Sequence, residues 1–152
     1  MARLILLDSG PIGLAAMPTA DPAAAPCRAW LYRLEAAGAM PIIPAVVDYE
    51  VRRELARIGA SARLRNLDTL NARFSPLPVS EGAWRRAAGL WAHVRKAGRP
   101  TAGPDRLDAD AVIAGQALTV GGLRDVVTLA TSNVRHMTRF PGLDARDWQA
   151  IT

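Results

Sequence analysis

Asp8, Glu50, Asp110 and Asn133 are the residues of this chain whose types and settings can do chemistry together. Asp8 ends the apolar run Arg3-Leu4-Ile5-Leu6-Leu7, a short buried strand by its pattern, and Ser9-Gly10-Pro11 follows at once and cannot extend it. Asn133 stands just past a second such run, Val127-Thr128-Leu129-Ala130, after the hydroxyls of Thr131 and Ser132. Glu50 and Asp110 belong to predicted helices, each beside an apolar packing face. In open α/β sheets, ligands and ions bind at the C-terminal edge of the strands. Two or three carboxylates, an amide and two hydroxyls at that edge are hard oxygen donors with uncompensated negative charge, a set suited to Mg²⁺ or Mn²⁺. With two histidines and one cysteine in the chain, no cluster offers a zinc alternative.

Each of these residues also has a plain structural role open to it. Asp8 can cap the turn after its strand by accepting hydrogen bonds from backbone N–H groups. Glu50 lies beside the stripe Val47, Val51 and Leu55 and is expected to be half-buried; a surface pair with Arg53 would contribute little. Asp48 can pair with Arg52 four residues on and Glu54 with Arg57 three on, so those two acids are accounted for. Asp108 suits the cap of the helix that carries Asp110. Asp110 lies on the packed side of that helix, where an ionised carboxylate is costly without a counter-charge.

The elements that must position these groups alternate between strand and helix. Strands are expected at 3–7, 40–44, 77–79 and 126–130, with a final short one at 148–151. Helices are expected at 11–17, 27–37 with Gly38 as its stop, 45–58, 60–74, 81–96 with Ser80 as its cap, and 105–120 before Gly121-Gly122. In the helix 81–96, Trp84, Ala87, Ala88 and Trp91 read as an apolar stripe, the tryptophans as core. Small residues at 111, 114, 115 and 117 predict close packing of their helix against the sheet. The segments 18–26 and 98–103 read as loops. The alternation implies an α/β fold with a mainly parallel central sheet flanked by helices on both faces.

The 152 residues suit one domain over 1–152 with a single core, and a composition half apolar and 22% charged is far from disordered. No run approaches the ~20 apolar residues that cross a bilayer, which excludes a membrane span, and the short N-terminal run lacks the form of a secretory signal. A cytoplasmic location is expected. Cys27 is the lone cysteine, so no internal disulfide forms, and it reads as a small apolar filler. The net charge of +5 comes from 19 basic residues, all arginine but Lys96. Arginine binds phosphate bidentately, which makes a nucleic-acid partner plausible.

Leu6-Leu7-Asp8-Ser9-Gly10, the helix with Glu50, Asp110-Ala111-Val112-Ile113-Ala114-Gly115-Gln116-Ala117 and Val127-Thr128-Leu129-Ala130-Thr131-Ser132-Asn133 follow in an order that resembles the PIN-domain family. More narrowly the chain resembles the VapC-type ribonucleases of bacterial toxin–antitoxin pairs, over nearly its whole length, and the block with Asp110 is the most specific. Two departures stand out. Asn133 replaces a common Asp, keeping an oxygen but losing a charge, and Ser9-Gly10 replaces Thr or Ser followed by a varied residue.

The resemblance implies a single PIN-like α/β/α sandwich acting as a metal-dependent endoribonuclease, the toxin of a type II toxin–antitoxin pair. Asp8 and Asp110 would hold Mg²⁺ or Mn²⁺, Glu50 would share the ion and orient or deprotonate the attacking water, and Asn133 would support the ion's water shell or a second ion. In-line attack on RNA would leave a 3′-hydroxyl and a 5′-phosphate. A small antitoxin, placing an arginine near Asp8 and Asp110, and a homodimer are the implied partners. Positive charge around an acidic pocket is needed to hold RNA, with Arg52, Arg53 and Arg57, or Arg95, Lys96 and Arg99, as candidates.

Two other readings remain open at this point. An aspartyl-phosphate phosphatase would use Asp8 as nucleophile but wants a second Asp at position 10, where this chain has Gly. A catalytically weak or inactive PIN-like RNA-binding or regulatory module is compatible with Asn133.

Overall fold

Ile5, Leu6 and Leu7 have no solvent exposure, and they lie on the central strand of a sheet covered on both faces. A near-continuous apolar run is what such a doubly covered parallel strand requires. The computed structural model describes residues 1–98 and 104–152, excluding the side chains of 104–106. The order is β1 (Arg3–Leu7), α1 (Ser9–Ala15), α2 (Ala24–Ala36), β2 (Met40–Pro44), α3 (Ala45–Arg57), α4 (Ser61–Arg73), β3 (Ser75–Leu77), α5 (Glu81–Lys96), α6 (Pro104–Thr119), β4 (Val126–Thr131), α7 (Val134–Met137) and β5 (Ala145–Asp147). The five strands are all parallel, ordered β3-β2-β1-β4-β5.

That order fixes where a site can form. The chain builds outward from β1 to β2 and β3, then crosses back to place β4 on the other side of β1. The reversal opens a crevice between the C-terminal ends of β1 and β4, the switch point at which doubly wound sheets bind ligands. The register pairs Leu7 with Ala130, so Asp8 and Thr131 emerge side by side.

Local chemistry explains where several elements start. Two helices begin earlier than the sequence predicts, α1 at Ser9 and α2 at Ala24, because Pro11 and Pro26 fall in their first turns, where proline's missing N–H costs no helical bond. Pro44 ends β2 and, with φ of −63° and extended ψ, leads directly into α3. Gly38 ends the turn after α2 with φ of +81°, a conformation that favours glycine. The last strand is not at 148–151: β5 is Ala145–Asp147, and Trp148–Ala150 form a 3₁₀ turn capped by Asp147, whose carboxylate accepts from the Gln149 N–H at 2.8 Å. Likewise β3 lies at 75–77 rather than 77–79. The α6 helix starts at Pro104, so Asp108 sits inside it rather than at its cap. The loop expected at 98–103 falls largely outside the described residues, as does Arg99.

The predicted stripe on α5 is corrected. Its buried face is Ala83, Ala87, Leu90 and Val94, while Trp84 is 54% and Trp91 38% exposed. The reason is the neighbour: α5 packs along α6, and Gly115 of α6 comes so close that a Cβ there would lie 2.6 Å from the Ala83 carbonyl oxygen and 3.0 Å from the Ala87 N. Only a face of alanines admits that approach, and indole rings do not fit it. The small residues of α6 therefore serve helix–helix contact at Gly115 as well as the core. At the other end of the fold, Trp30 Nε1 donates to the Ile151 carbonyl at 2.8 Å and packs against Trp148, tying down the C-terminal segment. Cys27 is buried as expected, and burial pushes its thiol up to about 11.

The α5–α6 contact yields a prediction. Gly115→Leu should lose about 1–3 kcal/mol of stability through overpacking, whereas Trp84→Ser should stay within about 0.5 kcal/mol of the parent, as read by chemical denaturation. A large loss on replacing Trp84 would contradict its placement outside the core.

Candidate active site

Asp8 is the best-defined group of the site. Its backbone N–H still donates to the Ala130 carbonyl at 2.9 Å, so pairing of β1 with β4 runs up to the carboxylate itself. Oδ1 accepts from the Ser9 N–H at 2.7 Å and caps α1. Oδ2 accepts from the Thr131 hydroxyl at 2.7 Å, and the same Oγ1 accepts from the Asn133 N–H at 2.9 Å. The capping role and the site role thus use different oxygens of one carboxylate.

The loop after β4 is drawn in tightly. A Cβ on Gly10 would overlap the Ser132 side chain, so the glycine of Ser9-Gly10 is what lets Ser132 approach the start of α1. The departure from the PIN-like pattern at position 10 has a steric cause.

Glu50 and Asp110 come from helices that cross the same edge. Val47, Val51 and Leu55 are buried and orient α3, leaving Glu50 half-buried at the rim. Asp110 is half-buried beside the fully packed Ala111 to Ala114 of α6. The structure brings all four predicted residues to one cleft of about 630 Å³, lined by Asp8, Glu50, Asp110 and Asn133 together with Thr131, Ser132 and others. Asn133 is exposed on its wall.

The cleft also holds basic residues that the sequence did not single out. Arg63 and His136 line it alongside Arg53. Arg139 stands behind Asp110, with Nη2 3.7 Å from Oδ2, and its Nε is anchored on the His136 carbonyl at 2.7 Å. Nothing in the sequence separates Arg139 or Arg63 from the other arginines, because both depend on elements distant along the chain. Of the arginines expected to contact phosphate, Arg52 is engaged by Asp48 at 3.0 Å and Asp68 at 2.8 Å, and Arg57 by Glu54.

Asp8 is 6% exposed, and no cation pairs with it among the described residues. Burial pushes its carboxyl above the ordinary value, and the bonds from Thr131 and Ser9 pull it back only in part. Folding therefore favours the neutral acid: that contribution is complete below the ordinary 3.8 and is lost as pH rises through the raised value. Above the raised value, ionising this buried carboxylate weakens the fold.

A divalent cation suits this donor set. A buried carboxylate opens on a cleft to which Glu50, Asp110 and Asn133 add further oxygen ligands. Among the described residues no three His, Cys, Asp or Glu side chains form a compact metal cluster. The carboxylate and amide oxygens present fit a hydrated ion held through one or two carboxylates, the common manner for Mg²⁺.

Stability reports on this electrostatic tension. At pH above the raised value, Asp8→Asn should raise Tm by roughly 2–4 °C, the shift that about 1 kcal/mol makes in a chain of this length, and the gain should vanish as pH falls through that value. Mg²⁺ or Mn²⁺ should raise the Tm of the parent but not of this variant. A lower Tm for Asp8→Asn would refute the account of the buried charge.

Comparison with known proteins places these features in context. The PIN domain family model matches residues 5–135. No curated protein matches the chain. Among solved structures, a chain of VapBC2 from Rickettsia felis, bound to a DNA fragment from their promoter, superposes with a TM-score of 0.72 at 17% identity, covering 95% of this chain and 98% of that one. VapBC-1 from nontypeable Haemophilus influenzae gives 0.68 at 20%, covering 96% and 98%. FitAcB from Neisseria gonorrhoeae gives 0.69 at 20%, covering 97% and 99%. At these identities the agreement is one of fold. Among the described residues no helix is long and apolar enough to cross a membrane.

Proposed function

The chain belongs to the PIN domain family, and from that premise we propose that it is a metal-dependent endoribonuclease, the toxin of a type II toxin–antitoxin pair. The observation that carries this reading is the buried Asp8 carboxylate, unpaired with any cation among the described residues, opening on the cleft that Glu50 and Asp110 share. In this proposal residues 1–152 act as one nuclease domain in the cytoplasm. In this reading its partners are a small antitoxin, in keeping with the VapBC complexes among its structural neighbours, and a second copy of the chain.

Asp8 and Asp110 would hold Mg²⁺ or Mn²⁺, with Glu50 completing the acidic set and Asn133 supporting the ion's water shell. When bound, the ion lowers the pKa of water and offsets the charge that develops on phosphorus. Glu50, half-buried at the rim, orients the attacking water and takes its proton. Thr131 aims Oδ2 of Asp8 and, by donating to it, favours the ionised form against the effect of burial. Arg139 holds the Asp110 carboxylate from behind, through a contact of 3.7 Å. Attack in line with the leaving oxygen breaks the P–O3′ bond, leaving a 3′-hydroxyl and a 5′-phosphate.

The deciding experiment is cleavage of end-labelled total RNA and tRNA by purified protein, freed of co-purified partners, with Mg²⁺, Mn²⁺ or EDTA. Products are expected with either metal and none with EDTA. Asp8→Ala and Asp110→Ala should reduce cleavage to background while the circular dichroism spectrum is kept. Parent-like turnover by Asp110→Ala would sink the site assignment. RNA binding without cleavage under every condition would favour an inactive RNA-binding module, to which the uncharged Asn133 would point.

A second prediction isolates the hydroxyl. Removing the Thr131 donor raises the Asp8 pKa further, because that bond stabilises the ionised form. Thr131→Val should therefore shift the acidic limb of the kcat/KM profile to higher pH, and Thr131→Ser should restore it. An unchanged limb in Thr131→Val would deny Asp8 its role in catalysis.

A further inference from the structure

An acidic cleft repels the polyanion it is meant to cut, so some cation on its wall must hold a phosphate away from the reacting centre. Most arginines near the cleft are engaged by acids. Asp48 and Asp68 hold Arg52, Glu54 holds Arg57, and Arg139 faces Asp110. Arg53 lies 5.1 Å over the Tyr49 ring.

Arg63 differs from all of these. It leaves the first turn of α4, crosses to α1 and lines the cleft, where its Nη2 donates to the Gly13 carbonyl at 3.3 Å. Its Nε is buried and has no acceptor, and among the described residues no carboxylate pairs with it. With no carboxylate to neutralise it, this half-buried guanidinium brings a positive charge to the cleft and is fitted to take a phosphate oxygen. The space next to it is open, since Gly13 lines the same cleft and a Cβ there would meet nothing within 4 Å.

We propose that Arg63 binds a phosphodiester of the RNA strand adjacent to the one that is cleaved, setting the path of the strand across α1. This rests on the endoribonuclease reading above. Gly13 lies five residues beyond Asp8, about 7.5 Å along the helix axis, which puts Arg63 roughly a nucleotide step from the acidic centre rather than on the reacting atoms. It is a substrate-positioning residue. Its neighbour Gly13 keeps the approach clear.

The test is binding of a fluorescein-labelled single-stranded RNA to the full chain carrying Asp110→Asn, over a range of salt concentrations. Arg63→Gln should weaken binding about tenfold and reduce the slope of log K against log salt by about 0.7, the contribution of one phosphate contact to single-stranded nucleic acid. Arg63→Lys should keep most of the slope. The exposed Arg85→Gln should alter neither quantity. In the active chain, Arg63→Gln should raise KM while kcat stays within about threefold of the parent, a split that loss of uniform binding produces.

Arg63→Gln also loses the Gly13 contact, so a measurement on the unmutated chain accompanies it. Mass spectrometry after phenylglyoxal treatment should find Arg63 modified in the free protein and protected by RNA. Unchanged affinity and slope in a folded Arg63→Gln protein, or modification of Arg63 that RNA does not prevent, would overturn the assignment while leaving the nuclease intact. A parent chain that neither binds nor cleaves RNA would overturn the proposed function and this inference with it.

Discussion

The hydrogen bond from Thr131 to Asp8 joins the ends of two strands that are 123 residues apart in sequence. Around it the rest of the site is arranged. Through the Asn133 N–H on the same hydroxyl, it shapes the loop that follows β4. Through the other carboxylate oxygen, it shares Asp8 with the start of α1. One buried carboxylate thereby specifies the register at the sheet edge, the start of a helix and the position of Ser132. Its cost is a charge with no cation beside it among the described residues. Natural proteins accept such local instability where a ligand relieves it.

The surrounding fold supplies rigidity where that carboxylate needs it and openness where a substrate needs it. The central strand is dry on both sides, and α6 is packed through alanines and Gly115 against α5. The backbone that carries Asp8 and Asp110 is therefore held by interior packing. From α3, α4 and α7 the same cleft receives Glu50, Arg53, Arg63 and His136, all half-buried or exposed.

Much of this was legible in the chain. Apolar runs of four or five residues ending at Asp8 and near Asn133 identified the sheet edge, because a parallel strand is apolar throughout and stops abruptly. The spacing of Val47, Val51 and Leu55 gave the orientation of α3 and so of Glu50. What could not be read depends on partners. The indoles of α5 were misplaced because hydrophobicity alone favours burying them, whereas the helix that faces them demands alanine. Arg63 and Arg139 looked like every other arginine until α1 and α6 were brought beside them. The final strand was set one turn late because Trp148 is buried by Trp30, in a turn rather than in the sheet.

The four tryptophans, finally, divide into two optical populations. Trp30 and Trp148, 5.3 Å apart and buried, emit from an apolar setting and exchange excitation with each other. Trp84 and Trp91 emit from α5 into solvent, with the Arg95 guanidinium 5.5 Å from the Trp91 ring. An aqueous quencher reaches only the second pair while the fold is intact. Fluorescence therefore separates global unfolding from events at the α5 surface without any added label.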